Sequence, residues 1–362
     1  HERKWGYMKK IFLTIFSLIA IIVLTVIIGI REKESKNKKL VVAEVTHSVF
    51  YTPWYVSIEN GYFKDENIDI EVVLTPGADK VGTAVLSKDV NIGFSGPEAT
   101  VYIYNNSKEK LLTFASLTKR DGQFIVGDCK LKDNFTLNDL KGKKILAGRN
   151  GGMPLLMFKY ALHENGINES DINIDTSIEF SALTGSYISG QGDFVNLFEP
   201  NALNIEKQGY GCPLTSLGNL SGIVPYTAFY AREEFINNNK DLIQRFNNAL
   251  NKGIKFTKEN DSETIAKAII NQFPDTSLKD LAILIDRYKN ADSWYDNTYV
   301  NSKDYDKLII EIDILLKEIT NLKQKPLTEE SKQKLIQQES KLNQVKKELE
   351  IKKGEDLKKE EN

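Results

Sequence analysis

The 362-residue sequence predicts an α/β chain folded as two lobes around a central ligand cleft, with an N-terminal transmembrane helix and a C-terminal helical tail. Three observations carry this expectation. Strand-like and helix-like segments alternate from residue 40, the alternation restarts near residue 140, and each unit sets a glycine-bearing turn between a short apolar strand and a helix. Alternation of this kind implies a mostly parallel sheet covered by helices on both faces.

The first element is the apolar run at residues 11–30, which carries no charge. Twenty helical residues span about 30 Å, the thickness of a bilayer's hydrocarbon core. The run ends Ile28-Gly29-Ile30-Arg31, without the small-residue site of a cleaved signal, and no cysteine stands near to carry a lipid. An uncleaved anchor beginning near Met8 is therefore expected, with residues 31–39 as a polar stalk. Arg3, Lys4, Lys9 and Lys10 before the run nearly balance Arg31, Lys33, Lys36, Lys38 and Lys39 after it, so charge alone does not orient it.

In the body, residues 40–45 read as a strand, 54–60 as a helix stopped by Gly61, and 68–74 as a strand broken by Pro76-Gly77. A helix over 79–87, a strand over 90–94 and the turn Ser95-Gly96-Pro97 follow. The second unit opens with a strand at 145–147, the turn Gly148-Arg149-Asn150-Gly151-Gly152 and a helix at 154–164. Residues 194–198 read as a strand ended by Glu199-Pro200, and residues 226–231 as a strand returning to the first unit. Residues 241–290 are helical by their apolar spacing, as in Leu242, Phe246, Leu250 and Ile254. The expected divisions are 1–39 leader, anchor and stalk; 40–120 first lobe; 121–226 second lobe; 227–325 return to the first lobe and C-terminal helices; and 326–362 charged tail. Leu335, Leu342 and Leu349 are seven apart, but Lys and Glu dominate the tail, which reads as a solvated helix fraying into disorder.

Composition narrows the function. Lys and Arg total 48 against 50 Asp and Glu, a net charge of −2, and no basic stretch interleaved with aromatics appears, so nucleic acid is not expected as a partner. Cys129 and Cys212 form no CxxC pair and lack histidine neighbours at ligand spacing, so neither a metal nor a cofactor is expected. They read as two buried thiols ahead of a disulfide. Ser95-Gly96 lacks the G-x-S-x-G form of a hydrolase nucleophile.

The run from Tyr55 to Val72, with Gly61-Tyr62-Phe63-Lys64 and Ile68-Asp69-Ile70-Glu71-Val72 inside it, resembles the opening of type 2 periplasmic binding proteins. The resemblance is to the nitrate, sulfonate, taurine and thiamine-precursor branch. Asn67 stands where that pattern has glycine, and both residues accept positive φ. Residues 90–99, Leu140-Lys141-Gly142-Lys143, Gly190-Gln191-Gly192-Asp193 and Phe198-Glu199-Pro200 extend the match over about residues 40–319. The resemblance implies a type 2 periplasmic-binding-protein fold and a monomer that captures a small molecule between closing lobes. It also implies delivery to an ABC permease driven by a cytoplasmic ATPase, with the body on the outer side of the cell membrane. A fungal pyrimidine-precursor synthase shares the fold, but it carries a cysteine-rich motif that this chain lacks, so catalysis is not expected.

Candidate ligand contacts follow the two turns. Ser95, Gly96, Pro97 and Glu98 open a helix, where free N–H groups make an anion-tolerant mouth. Arg149, Gly151, Gly152 and Met153 repeat the arrangement in the second lobe. Tyr51, Trp54, Phe198 and Tyr226 are the aromatic candidates, Asp79 stands at a helix start, and Arg120, with Asp121 beside it, ends a first-lobe strand near the crossover. Glu199, between Phe198 and Pro200 at a strand end, is the leading single candidate. Two carboxylates, Glu98 and Glu199, favour an amino-bearing heterocycle such as a thiamine-precursor pyrimidine over a sulfonate, nitrate or taurine-type anion. Arg149 keeps an anionic or zwitterionic ligand open.

Overall fold

Two five-stranded mixed sheets form the body. The structure, a computed structural model, describes residues 38–104, 109–148 and 152–299, together with separate residues between 306 and 350. In the first sheet, β1 (Lys38–Glu44) runs parallel to β2 (Ile68–Leu74) and β3 (Ile92–Ser95). The second sheet contains β5 (Phe124–Gly127), β6 (Lys144–Leu146), β7 (Asn173–Asp175), β8 (Phe194–Leu197) and β9 (Cys212–Ser216). The first sheet is completed by β4 (Leu111–Thr118) and by β10 (Thr227–Arg232), which lies antiparallel between β3 and β4.

The strand orders, β2-β1-β3-β10-β4 and β7-β6-β8-β5-β9, follow one plan. In each sheet the fourth position is taken by the strand that arrives immediately after a crossing, β5 from the first sheet and β10 from the second. The chain therefore passes between the lobes twice, at residues 119–123 and 217–226. Every residue of β3, β5, β8 and β10 is buried, as expected of central strands covered on both faces.

Packing in the first lobe is aromatic. Trp54 is fully buried among Phe63, Phe94, Phe229 and Phe246, and the Phe94 and Phe229 rings stack at 4.0 Å across β3 and β10. The helix Lys240–Glu259 lies against the helix Thr52–Glu59 at a close approach that requires glycine. A Cβ at Gly253 would stand 2.0 Å from Ser57 Oγ. Asn67 takes φ 54°, the left-handed conformation that its glycine-like place anticipates.

Sequence reasoning erred on the cysteines. Cys129 and Cys212 form a disulfide with Cα atoms 4.8 Å apart. Ladder pairing sets Gly127 of β5 opposite Cys212 of β9, so Cys129, two residues on, meets its partner across 83 residues of sequence. The expected anchor at residues 11–30 lies outside the described residues, among which no helix is long and apolar enough to cross a membrane. The tail's seven-residue pattern lies largely outside them as well. Leu335 is helical and half-buried, and Lys323 pairs with Glu339.

Candidate functional site

The first predicted turn follows β3, and the structure brings it to the start of the helix that follows the second. Gly96 and Pro97 lead from β3 into the helix Glu98–Tyr104, and Gly152 leads into the helix Met153–Glu164. The Met153 backbone N–H donates to Glu98 Oε1 at 3.4 Å, a contact from lobe to lobe. The Glu98 carboxylate folds back over Gly96, within 2.0 Å of where a Cβ would stand. Arg149 and Gly151 lie outside the described residues.

Aromatic rings wall the junction behind these turns. Phe50 lies 5.5 Å from Tyr51, 5.6 Å from Phe198 and 5.7 Å from Tyr226, and Phe198 lies 6.4 Å from Tyr226. Tyr51 precedes the helix Thr52–Glu59, Phe198 follows β8, and Tyr226 precedes β10, so three elements from two lobes converge. Burial raises the phenol pKa values of Tyr51 and Tyr226, which stay neutral hydroxyls. Phe50 was absent from the sequence reading, since only its ring contacts distinguish it from a core phenylalanine.

Asp121 sits in the first crossover with 1% exposure. Its Oδ1 accepts the Gln123 N–H at 2.6 Å, whereas its Oδ2 is buried without a hydrogen-bond partner. The Tyr226 hydroxyl faces the same carboxyl group without reaching hydrogen-bond geometry. Burial pushes the Asp121 carboxyl up to about 8. Gln123 Nε2 donates to the Asn196 carbonyl at 3.2 Å, and both ends of the Asn196 side-chain amide are buried without partners among the described residues.

Other candidates stand elsewhere. Trp54 is fully buried in the aromatic core of the first lobe, which continues through Phe94 to Tyr51. Arg120 reaches the Gly218 carbonyl and Asp292, the carboxylate that its neighbour Lys119 also pairs with. Asp79 is exposed in the first turn of the helix Ala78–Leu86. Ser95 is buried, with its hydroxyl 2.8 Å from that of Tyr230.

Glu199 is engaged within the fold. Its carboxylate pairs with Arg287 through Oε1 and accepts the Leu203 N–H at 2.8 Å through Oε2. Burial raises its pKa, outweighing the downward pull of Arg287. Arg287 also holds Glu206 at 2.5 Å, and the Glu199 backbone bonds to the Tyr288 hydroxyl and to Ser48 Oγ. Tyr288 in turn donates to the Gly122 carbonyl. Glu199 therefore fastens the second lobe to the C-terminal helix Leu278–Asn290 and the first crossover.

Comparisons with known proteins agree with this architecture. The Bacillus subtilis protein YtlA is 35% identical over 295 residues, covering 81% of this chain and 88% of its own. The periplasmic aliphatic sulphonate binding protein SsuA of Escherichia coli superposes with a TM-score of 0.60 at 16% identity, over 80% of this chain and 94% of its own. The periplasmic nitrate-binding protein NrtA of Synechocystis gives 0.58 at 14% identity, over 87% of this chain and 89% of its own. The family model described as NMT1/THI5 like matches residues 49–264, the span holding both turns, both crossovers and the aromatic wall. By that match, and by its likeness to YtlA, this chain belongs to the NMT1/THI5 like family.

Proposed function

We propose that this protein is the solute-capturing component of an ABC importer, closing two lobes on a small molecule and handing it to a permease. The observation that carries the reading is the Met153 N–H to Glu98 contact, because it apposes two strand-to-helix turns from different lobes. Relatives support the role. YtlA bears the name of a binding protein, and a Staphylococcus aureus neighbour with a TM-score of 0.60 is described as the ligand binding component of an ABC-type import system. The ligand we favour is an amino-bearing heterocycle such as a thiamine-precursor pyrimidine. Phe50, Tyr51, Phe198 and Tyr226 supply apolar walls for a ring.

A second reading, capture of a sulfonate or nitrate, is favoured by the ligands named for SsuA and NrtA. The buried Asp121 acid opposes it, since it offers an anion no positive charge and would repel it if ionised. A thermal-shift screen of the protein with pyrimidines, flavins, sulfonates, nitrate and amino acids tests the proposal. A true ligand at a hundred times its dissociation constant should stabilise by about 2.7 kcal/mol. Absence of any stabilisation across these classes would rule out capture.

A further inference from the structure

Among the described residues, no cation faces the Asp121 carboxyl group at the lobe junction. Its backbone is pinned, because the helix Leu217–Ser221 packs so closely that a Cβ at Gly218 would stand 2.3 Å from the Asp121 carbonyl. The two cations before it in sequence are engaged elsewhere: Lys119 pairs with Asp292 at 2.8 Å, and Arg120 with the same carboxylate and the Gly218 carbonyl. The groups acting on Asp121 from the elements packed around it are the Gln123 N–H, the Tyr226 hydroxyl and the Tyr288 hydroxyl. Glu98 and Tyr51 act on Tyr226 from the first lobe. Each of these groups is neutral or acidic.

A buried carboxyl oxygen without a partner costs stability unless something occupies it. Here the unsatisfied Asp121 Oδ2 is followed along the junction by an unsatisfied Tyr226 hydroxyl, Gln123 Oε1 and the Asn196 amide. Buried polar groups left without partners at a ring-walled junction point to recognition of a polar ligand.

We infer that Asp121 is the specificity-determining residue of this cleft and that it reads a protonated amine on the ligand. The inference rests on the capture function proposed above and names its substrate class. Burial holds Asp121 as the carboxylic acid near neutral pH. When the ammonium arrives, the acid releases one proton to solvent and becomes the carboxylate that faces it. The ammonium keeps its own protons, and no covalent bond to the ligand forms. Tyr226 and the Asn196 amide then stand beside the amine to meet the ligand's heteroatoms. An anion gains nothing from this wall, because ionising Asp121 would oppose it.

Calorimetric titration of the full chain with paired probes tests the inference. The pairs are an aminomethylpyrimidine against its hydroxymethyl counterpart, and taurine against ethanesulfonate, each in buffers of different ionisation enthalpy. The amine member should bind about 10- to 100-fold more tightly, the gain expected of one charge-assisted hydrogen bond. It should release close to one proton per complex at pH 7, and its affinity should rise up to about tenfold per pH unit between pH 6 and 8. Asp121→Asn, which keeps the acceptor for the Gln123 N–H, should lose both the preference and the proton release while melting no lower than the unaltered protein. If that variant does not fold, proton release by the unaltered protein decides the matter. Binding without proton release, or no binding of either amine at millimolar concentration, overturns the inference. Tight ethanesulfonate binding that is insensitive to Asp121→Asn also overturns it while leaving solute capture intact. Capture itself fails only if no class in the broader screen stabilises the protein.

Discussion

Asp121 and Glu199 are both acids with about 1% exposure where the lobes meet, yet the protein treats them in opposite ways. Glu199 is answered from within, by Arg287, by the Leu203 N–H and by a backbone tied to Tyr288 and Ser48. Among the described residues, Asp121 receives one backbone N–H and no cation. The contrast teaches that burial alone does not distinguish a structural acid from a recognition acid. What separates them is whether the fold completes their hydrogen bonds, because an uncompensated buried charge is tolerated where a ligand supplies the remainder.

The sharpest way to break this comparison is to remove Glu199's partner. Arg287→Ala leaves a fully buried carboxylate facing Glu206 and should cost about 3–5 kcal/mol by urea denaturation. A loss below about 0.5 kcal/mol would make Glu199 no more committed to structure than Asp121.

Asp121→Asn should do the reverse. An acid with a raised folded pKa favours the folded state while the proton stays bound, and stability falls as pH climbs from the unfolded value towards about 8. The unaltered protein should therefore lose stability over that window and the variant should not, leaving the variant ahead by about 1–2 kcal/mol at pH 8. Equal pH profiles from paired denaturation curves would contradict the assignment of an unsatisfied acid.

The smallest effect belongs to His47, which shows what a completed site looks like. Its Nδ1 lies 2.7 Å from Glu44 and 3.0 Å from the Tyr55 hydroxyl, and its Nε2 lies 2.8 Å from the Gln272 carbonyl. Burial works against the charged ring, but Glu44 and the Gln272 carbonyl outweigh it and raise its pKa. Its contribution, about 0.5–1 kcal/mol, should be fully present below the unfolded value near 6.5 and be lost as pH rises through the folded one. His47→Gln should flatten that segment of the stability profile. An unchanged segment would leave the imidazole uncharged.

What the sequence disclosed was local. Gly61, Asn67, Gly96 and Gly152 mark turns through their own backbone requirements, and strand–turn–helix order needs only neighbouring residues. The pairing of Glu199 with Arg287 and of Cys129 with Cys212 spans 88 and 83 residues and is set by which strands lie side by side. Nothing in the residues themselves signals such partners, so Glu199 looked available and the cysteines looked separate. Asp121 was visible only as the companion of Arg120. Its burial depends on how the crossover packs between the lobes, which a segment without regular periodicity does not encode.

The order in which the strands are made has its own consequence. β5 to β9 come from one continuous stretch, so the second sheet has all its strands as soon as residue 216 has been synthesised. The first sheet must wait, because its central strand β10 arrives after that whole stretch, with Ser95 and Tyr230 joined across 135 residues. Until then β3 and β4 lack the strand that belongs between them, an open edge that invites pairing with other chains. A nascent molecule of this protein therefore holds every strand of the second sheet before the strand that completes the first.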